Sequence, residues 1–324
     1  MIKTILVTGS SGTVGTALTQ ALMRRGYRVI PLDVRHSYWD ARIERKTIFH
    51  DLRRPLDKLR LRPRPDLIVH LAANARVHDL VVKPGLALDN YVMTHNVLEY
   101  ARHNGIGRLL FSSSREVYGE SKPGLPRRED STDITGIKAP YTASKYAAEA
   151  LIHACHECYG IKPVIARLSN VYGRYDVSER VIPVFLYYAL RDRTLTVFGR
   201  EKKLDFTYID DCTAGLMAIV ERFDKVAGMT FNISAGKGER LLDLARMIAD
   251  VVGSSSKISS SSKRTGEISS YVGDISLATR HLAYKPQVSL EDGLIENIGW
   301  YVQAMKERRV YESQRRNLAR RGWL

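Results

Sequence analysis

Short apolar runs alternate with longer amphipathic segments through the first half of the chain. Side chains repeat every two residues in a strand and about every 3.6 residues in a helix, so the runs predict strands and the segments predict helices. The predicted strands are residues 2–8, 28–32, 67–71, 108–112 and 163–168, and the predicted helices are 13–25, 88–103 and 141–158. Continuous apolar strands separated by helices predict an α/β fold with a parallel sheet covered on both faces.

A glycine-rich turn joins the first predicted strand to the first predicted helix. Residues 8–15 read Thr-Gly-Ser-Ser-Gly-Thr-Val-Gly. Glycines at positions 9, 12 and 15 allow a tight turn, a close approach of backbone to a pyrophosphate and close packing of helix on strand. The helix that follows offers free N–H groups and a positive dipole end. This turn predicts a dinucleotide site.

An acidic residue at the end of the second predicted strand supports that prediction. Asp33 lies at about the spacing expected for the carboxylate that binds the adenosine ribose hydroxyls. Its charge would repel a 2'-phosphate, which favours NAD over NADP. Arg35, two residues on, would soften that preference, and a plain turn role for Asp33 remains the alternative.

The pattern becomes irregular after Asn170, where Gly, Pro and Ser interrupt it. We predict a Rossmann-type, doubly wound NAD-binding domain over residues 1–170, with later elements near 205–235 returning to it. Residues 171–324 would form mainly a smaller C-terminal α/β substrate lobe with a basic tail. The serine-rich stretch 253–262 is interpreted as a surface loop, with disorder as the alternative.

Composition narrows the class of protein. The 324 residues include 50 Lys and Arg against 35 Asp and Glu, a net charge of +15 that suits nucleic acid, an anionic substrate or simply a basic surface. The tail after residue 305 is strongly basic, and we interpret it as a solvated helix end. No apolar run reaches the roughly eighteen residues that span a bilayer, and a strand at Ile2 leaves no room for a leader, so we expect a cytoplasmic protein without a membrane partner.

Three cysteines are an odd number, which argues against a disulfide framework. Cys155 and Cys158 form a C-x-x-C with His153 and His156 close by. A second pair of ligands is not visible in the sequence, and the segment reads as one helix. We therefore expect ordinary helix packing there and no metal site.

Candidate chemistry follows the fourth predicted strand, where Ser112, Ser114 and Glu116 stand near its carboxyl end. Ligands of open parallel sheets bind at such ends. Tyr141 and Lys145 stand four residues apart in the next helix, about one turn apart on one face. A lysine cation and a positive nicotinamide ring would lower the Tyr141 pKa toward the working pH, and Ser114 would hydrogen-bond the reacting oxygen.

Together these features resemble the extended short-chain dehydrogenase/reductase family, specifically its NAD-dependent nucleotide-sugar epimerases and dehydratases such as UDP-glucose 4-epimerase. The landmarks that carry the resemblance span nearly the whole chain and include His70-Leu-Ala-Ala73, Ser112–Gly119, Arg167-Leu-Ser-Asn170-Val-Tyr-Gly173, Asp205-Phe-Thr-Tyr and Arg264-Thr-Gly-Glu267. The resemblance implies NAD as the cofactor, a UDP-sugar substrate and a homodimer formed by the helices at 88–103 and 141–158.

Site residues follow from the glycine turn and from the resemblance. The cofactor contacts expected are Gly9, Ser11, Gly12, Thr13, Val14, Gly15, Asp33, Asp51, Leu52, Leu71, Ala72, Ala73, Asn90, Ser112, Tyr141 and Lys145. The catalytic residues expected are Ser114, Glu116, Tyr141 and Lys145. The substrate contacts expected are Arg76, Ser114, Asn170, Val181 and Arg264. Asn170 and Arg264 would contact the diphosphate of the nucleotide sugar, where a guanidinium fork suits phosphate oxygens.

Two positions depart from the family pattern. Leu204 stands where many members carry an arginine, and either Lys202 or Lys203 supplies that charge or the contact is lost. Glu116 occupies the place of the base of sugar-nucleotide 4,6-dehydratases, but Arg115 replaces the partnering aspartic acid. An always-charged guanidinium is a poor proton donor for a leaving hydroxyl.

The leading hypothesis is therefore an NAD-dependent 4-epimerase of UDP-glucose and UDP-galactose that works through a 4-keto intermediate. A dehydratase or a UDP-uronate decarboxylase that uses Glu116 is the nearest alternative. A non-catalytic NAD-binding protein with a basic nucleic-acid surface is the alternative from another class, although a mere binder has no need for Ser114, Tyr141 and Lys145 together.

Overall fold

The computed structural model describes residues 2–120 and 125–306. Its strands are β1 (Thr4–Thr8), β2 (Arg28–Asp33), β3 (Ile48–Phe49), β4 (Leu67–His70), β5 (Arg108–Ser114), β6 (Lys162–Leu168), β7 (Asn170–Tyr172), β8 (Leu195–Phe198), β9 (Lys203–Tyr208), β10 (Thr230–Ile233), β11 (Gly238–Arg240), β12 (Ile258–Ser261) and β13 (Ser270–Tyr271). Its helices are α1 (Thr13–Arg24), α2 (Ala41–Lys46), α3 (Val77–Val82), α4 (Gly85–His103), α5 (Pro140–Tyr159), α6 (Val181–Ala189), α7 (Ile209–Glu221), α8 (Phe223–Val226), α9 (Leu241–Val252), α10 (Ser276–Leu282) and α11 (Leu290–Lys306).

A seven-stranded parallel sheet forms the centre of the first half, in the order β10-β6-β5-β4-β1-β2-β3. Side chains of β1 alternate between its two faces, so Ile5 and Val7 enter one hydrophobic core and Leu6 enters the other. Because both faces bury apolar side chains, the strands read as continuous apolar runs. The predicted fold class, a Rossmann-type α/β sheet, is confirmed.

The second half contributes smaller sheets. Strand β9 pairs with β7 and β13 in parallel and with β11 in antiparallel fashion, while β12 pairs with β8. Strand β10 returns to the edge of the large sheet beside β6, and α7 packs against α1. These elements lie in and near the predicted returning segment, while the domain limits themselves stay a prediction.

Several predicted boundaries differ from the structure. The first strand begins at Thr4 rather than at residue 2, and α4 begins at Gly85, directly after Pro84, rather than at residue 88. The serine-rich stretch contains a strand, β12, and is not only a loop. Its serines are largely exposed, so backbone pairing with β8 rather than an apolar pattern makes it a strand. The basic tail beyond residue 306 lies outside the described residues.

Within residues 2–120 and 125–306, none of the helices combines the length and the apolar character needed to cross a membrane. Over the same ranges no group of three or more His, Cys, Asp or Glu side chains is placed to hold a metal ion. Cys155 is buried on α5, Cys158 is exposed, and neither forms a disulfide.

Candidate active site

The glycine turn forms a tight cradle between β1 and α1. Gly9 has φ +73°, and a Cβ atom there would lie 2.7 Å from the backbone nitrogen of Ala72. A Cβ atom on Gly15 would lie 2.0 Å from the carbonyl oxygen of Gly9. Thr13 opens α1 directly after the turn, so the free N–H groups of a helix N-terminus lie beside it. The cradle fits a pyrophosphate, which needs both close backbone approach and N–H donors.

Asp33 ends β2 next to this cradle and is buried. Its carboxylate accepts hydrogen bonds from the backbone N–H groups of Ser11 and Arg35, both at 2.9 Å. Each carboxylate oxygen keeps a further lone pair for a ribose hydroxyl. The exposed Arg35 side chain lies 3.8 Å from the carboxylate, and its effect on cofactor preference stays a prediction.

The remaining predicted cofactor residues lie at the same edge of the sheet. Leu71, Ala72 and Ala73 follow β4, and the backbone N–H of Leu71 donates to the Thr8 carbonyl oxygen at 3.1 Å. Farther along this edge, Asp51 pairs with Arg53 at 2.6 Å. The carbonyl oxygen of Leu52 accepts a 2.8 Å hydrogen bond from Asn96 on α4.

Asn90 has internal partners. Its amide exchanges hydrogen bonds with the backbone of Asn74, at 2.7 and 3.0 Å, and donates to Ser144 Oγ at 3.1 Å. Asn90 therefore connects the segment after β4 to helix α5. Any contact of Asn90 with the cofactor stays a prediction.

Ser114, Tyr141 and Lys145 come together at the carboxyl end of β5. Ser114 ends β5, and Tyr141 and Lys145 project from the first turns of α5, which packs on that strand. A hydrogen bond links Ser114 to the Tyr141 phenol. The Lys145 ammonium donates to the backbone oxygen of Ser112 at 2.8 Å and lies 4.7 Å from the centre of the Phe111 ring. All three predicted side chains are buried and lie at the carboxyl end of β5.

The pKa of Tyr141 shifts in the direction opposite to the one expected from the sequence. In the protein alone, burial raises the Tyr141 pKa, and the Glu116 carboxylate raises it further. The hydrogen bond with Ser114 and the nearby charges of Arg180 and Arg115 lower it but do not offset the burial. Burial also lowers the Lys145 pKa to about 8. The phenol therefore needs positive charge beyond that of the protein to ionise.

Sequence reasoning missed a buried polar network behind this centre. Glu149 lies four residues after Lys145 on α5 and forms an ion pair with Arg167 of β6 at 2.6 Å. Ser113 Oγ donates to the same carboxylate. Arg167 also donates to the Tyr118 hydroxyl at 3.1 Å. The network joins α5 to β5 and β6, and the four-residue spacing from Tyr141 through Lys145 to Glu149 was the available signal.

Two ion pairs lie where the second half meets this centre. Arg115 Nη2 lies 2.9 Å from Glu116 Oε1, and Lys202 pairs with Glu267. Burial raises the Glu116 pKa, while the Arg115 charge lowers it. Leu204, at the position of the family arginine, is buried on β9. Of the two lysines before it, Lys202 is buried and Lys203 is exposed.

The predicted substrate residues have internal contacts of their own. Arg76 pairs with Glu179 at 2.5 Å, and this contact joins the segment after β4 to the residues before α6. Asn170 Nδ2 donates to the Asp205 backbone oxygen at 2.7 Å. The Arg264 guanidinium stacks 4.1 Å from the centre of the Phe198 ring.

Val181 begins α6, directly after Arg180, a cation that the sequence did not single out. Arg180 lies close enough to the Tyr141 phenol to lower its pKa. Val181 therefore follows a residue that acts on the phenol, while contacts of Val181 and Arg180 with a substrate stay predictions.

Fold and site together define a dinucleotide-binding protein of the Rossmann type. The family model described as the NAD dependent epimerase/dehydratase family matches residues 5–234, more than half of the chain. The chain belongs to this family, and NAD is its cofactor.

Relatives within the family carry out more than one reaction. The chain is 29% identical to the uncharacterized UDP-glucose epimerase YtcB of Bacillus subtilis over 91% of this chain and 97% of the relative. It is 31% identical to UDP-glucuronic acid decarboxylase 1 of Xenopus tropicalis over 92% and 72%. A crystal structure of UDP-glucuronic acid 4-epimerase from Bacillus cereus, in complex with UDP-glucuronic acid and NAD, is 29% identical, with a TM-score of 0.82 and coverage of 93% and 99%.

Proposed function

We propose that this protein is a nucleotide-sugar 4-epimerase that interconverts UDP-glucose and UDP-galactose through a transient 4-keto sugar. The observation that carries the proposal is the meeting of Ser114, Tyr141 and Lys145 at the carboxyl end of β5. A buried phenol, a hydroxyl and an ammonium are the groups that proton transfer at a sugar hydroxyl needs.

Each side chain has one task in this proposal. Tyr141 takes the proton of the sugar 4-hydroxyl and later returns it. Ser114, hydrogen-bonded to the phenol, also binds the reacting oxygen. Lys145 holds the nicotinamide ribose and contributes positive charge that favours ionisation of the phenol. NAD, when bound, reversibly accepts the hydride of sugar carbon 4.

The nucleotide part of the substrate would lie against the second half. Arg264 and Asn170 bind the diphosphate, and the buried Lys202 takes the part of the arginine that Leu204 replaces. Arg76 acts on the substrate site indirectly, because its ion pair with Glu179 fixes the residues that precede Val181.

Incubation with UDP-galactose tests the proposal. We expect conversion to UDP-glucose, with unchanged mass and no net consumption of NAD. Chromatography of the nucleotide sugars measures the conversion. If no UDP-hexose is converted by protein that demonstrably retains NAD, the assignment as an epimerase of UDP-hexoses is wrong.

The buried Glu116 carboxylate favours a second candidate, a dehydratase or a UDP-uronate decarboxylase. Such an enzyme would share the oxidation at carbon 4 and then use Glu116 at carbon 5, or release carbon dioxide from a uronate. Product mass separates the candidates, because loss of water or carbon dioxide lowers it and epimerisation does not.

We also propose a homodimer, which pairs α4 and α5 of one subunit with those of the other, and a cytoplasmic location. The pairing of these helices is what the resemblance to the extended short-chain dehydrogenase/reductase family implies. A molar mass measured by light scattering tests the dimer: a monomer at assay concentration would contradict it. Fractionation of the native host tests the location.

A further inference from the structure

The ion pair between Arg115 and Glu116 lies next to the proposed proton-transfer site. The two residues are consecutive in a 3-10 turn that follows Ser114 directly, and their side chains are 12% and 4% exposed. Both lie close enough to the Tyr141 phenol to shift its pKa, in opposite directions. A carboxylate and its guanidinium partner, in the turn that directly follows Ser114, therefore both act electrostatically on the phenol.

A carboxylate in that place has a second possible action, given the proposed function, on which this inference rests. Oxidation of carbon 4 to a ketone makes the hydrogen on carbon 5 acidic, because the carbanion is stabilised as an enolate. A base there would take this proton, and the electron pair would move onto the carbonyl oxygen. Reprotonation at carbon 5 would restore the ketone, but with the hydrogen on carbon 5 exchanged. An epimerase that acts only at carbon 4 must therefore keep neighbouring bases away from carbon 5.

We propose that Arg115 restrains Glu116 and thereby keeps the carbon 5 hydrogen in place while carbon 4 is oxidised and reduced. The guanidinium holds Glu116 Oε1 at 2.9 Å and keeps its charge at every working pH. An ion-paired carboxylate is a weaker base than an unpaired buried one, and its orientation is fixed.

The surroundings of Glu116 strengthen the need for this restraint. Lys202, Glu267 and Glu120 also act electrostatically on Glu116, with the two carboxylates opposing the lysine. Over the described residues, Glu116 Oε2 is buried without a hydrogen-bond partner. Without Arg115, Glu116 would become a buried and largely unpaired carboxyl group, which binds a proton more strongly.

Deuterium incorporation tests the proposal. Protein with bound NAD is incubated with UDP-galactose in D2O, and deuterium at carbon 5 of the recovered UDP-hexoses is measured by NMR for each epimerisation event. We expect background labelling with the wild type and at least ten times more with Arg115→Ser. Arg115→Gln, which keeps a neutral donor for Glu116, should label above wild type. Arg115→Ser/Glu116→Gln should return to background.

Each other result contradicts the inference. Labelling by the wild type equal to that by Arg115→Ser, or epimerisation by both Arg115 variants without labelling, would show that Arg115 does not control Glu116. Failure of both variants to fold, judged by circular dichroism, would assign Arg115 to structure alone. Absence of epimerisation by NAD-loaded wild type would instead contradict the proposed function.

Discussion

The dinucleotide end of the site and its opposite end hold their polar groups by different kinds of contact. At the dinucleotide end, most of these contacts involve the backbone. Gly9 and Gly15 permit close approach between backbone segments, and the Asp33 carboxylate is fixed by backbone N–H groups. At the opposite end, side-chain ion pairs join distant segments, such as Arg76 with Glu179 and Lys202 with Glu267. The first end is encoded in short stretches of sequence, and the second depends on the completed fold.

This difference implies that substitutions act differently at the two ends and at the centre between them. A change at the centre should remove chemistry, a change at the glycine turn should remove cofactor, and a change in an ion pair should loosen the substrate. Kinetic and binding measurements separate these effects.

The largest effect is expected from Tyr141→Phe, at the centre. Removal of the phenolic oxygen deletes the proposed acid and base, so kcat for UDP-galactose should fall by ~10²–10⁴-fold. Tyr146→Phe is the matched control, because Tyr146 lies on the same helix and is half-buried. Initial rates and the NAD content of both variants are measured.

Retention of more than about a tenth of the rate by Tyr141→Phe would argue against this role for the phenol. Salt-dependent binding of nucleic acid that is indifferent to Tyr141→Phe would favour the non-catalytic alternative.

Gly15→Ala tests the dinucleotide end. The added methyl group would lie 2.0 Å from the carbonyl oxygen of Gly9, and the atoms it meets are backbone atoms of Gly9 and Ser10, which cannot move aside as a flexible side chain can. Overpacking of this kind costs about 1–3 kcal/mol, so NAD affinity should fall by about 5- to 150-fold. Titration calorimetry measures the change. Gly107→Ala, where an added Cβ meets nothing within 4 Å, should bind NAD like the wild type.

The dependence of kcat on pH tests the role of the Lys145 charge at the centre. Burial lowers the Lys145 pKa to about 8, so its ammonium is lost above that pH instead of near the usual value for lysine. In the proposed role of Lys145 this charge favours ionisation of the phenol, so kcat should decline above about pH 8, up to tenfold for each further pH unit. Lys145→Arg should remove the decline at a lower overall rate, because arginine keeps its charge. A decline of equal steepness in both proteins would assign it to another group.

The sequence predicts the locally encoded parts of the molecule better than the contacts that depend on the completed fold. Strands β1, β2, β4, β5 and β6 and helices α1, α4 and α5 were predictable because each carries its own apolar pattern. The two-residue strand β3 and the six-residue helices α2 and α3 were not predicted, because they are too short to show such a pattern. Strand β12 was not, because it consists largely of exposed serines and exists through pairing with β8. The approach of Ser114, Tyr141 and Lys145 was predictable from their position after a strand and from helical spacing.

The supporting contacts were harder to predict, because their partners lie far apart in sequence. Glu179 contacts Arg76 across 103 residues, and Arg180 reaches the phenol from the start of α6. Arg76 was predicted as a substrate contact from sequence, whereas the structure gives it an acidic protein partner. Such pairings depend on how the second half packs on the first, which local patterns do not encode.

The smallest effect is expected at the opposite end, from the pair Arg76 and Glu179. Arg76→Met or Glu179→Gln alone should raise KM for the UDP-sugar several-fold and leave kcat nearly unchanged. The pair fixes the residues before α6, including Arg180, and neither of its members is one of the proposed proton-transfer groups. Because the Arg76 side chain is 22% exposed, the coupling energy in a double-mutant cycle should be about 1–2 kcal/mol, below the value for breaking a fully buried pair.

Strict additivity of the two substitutions in unfolding free energy would show that the contact does not join the two halves. A fall in kcat without a change in KM would instead place Arg76 in the chemistry itself.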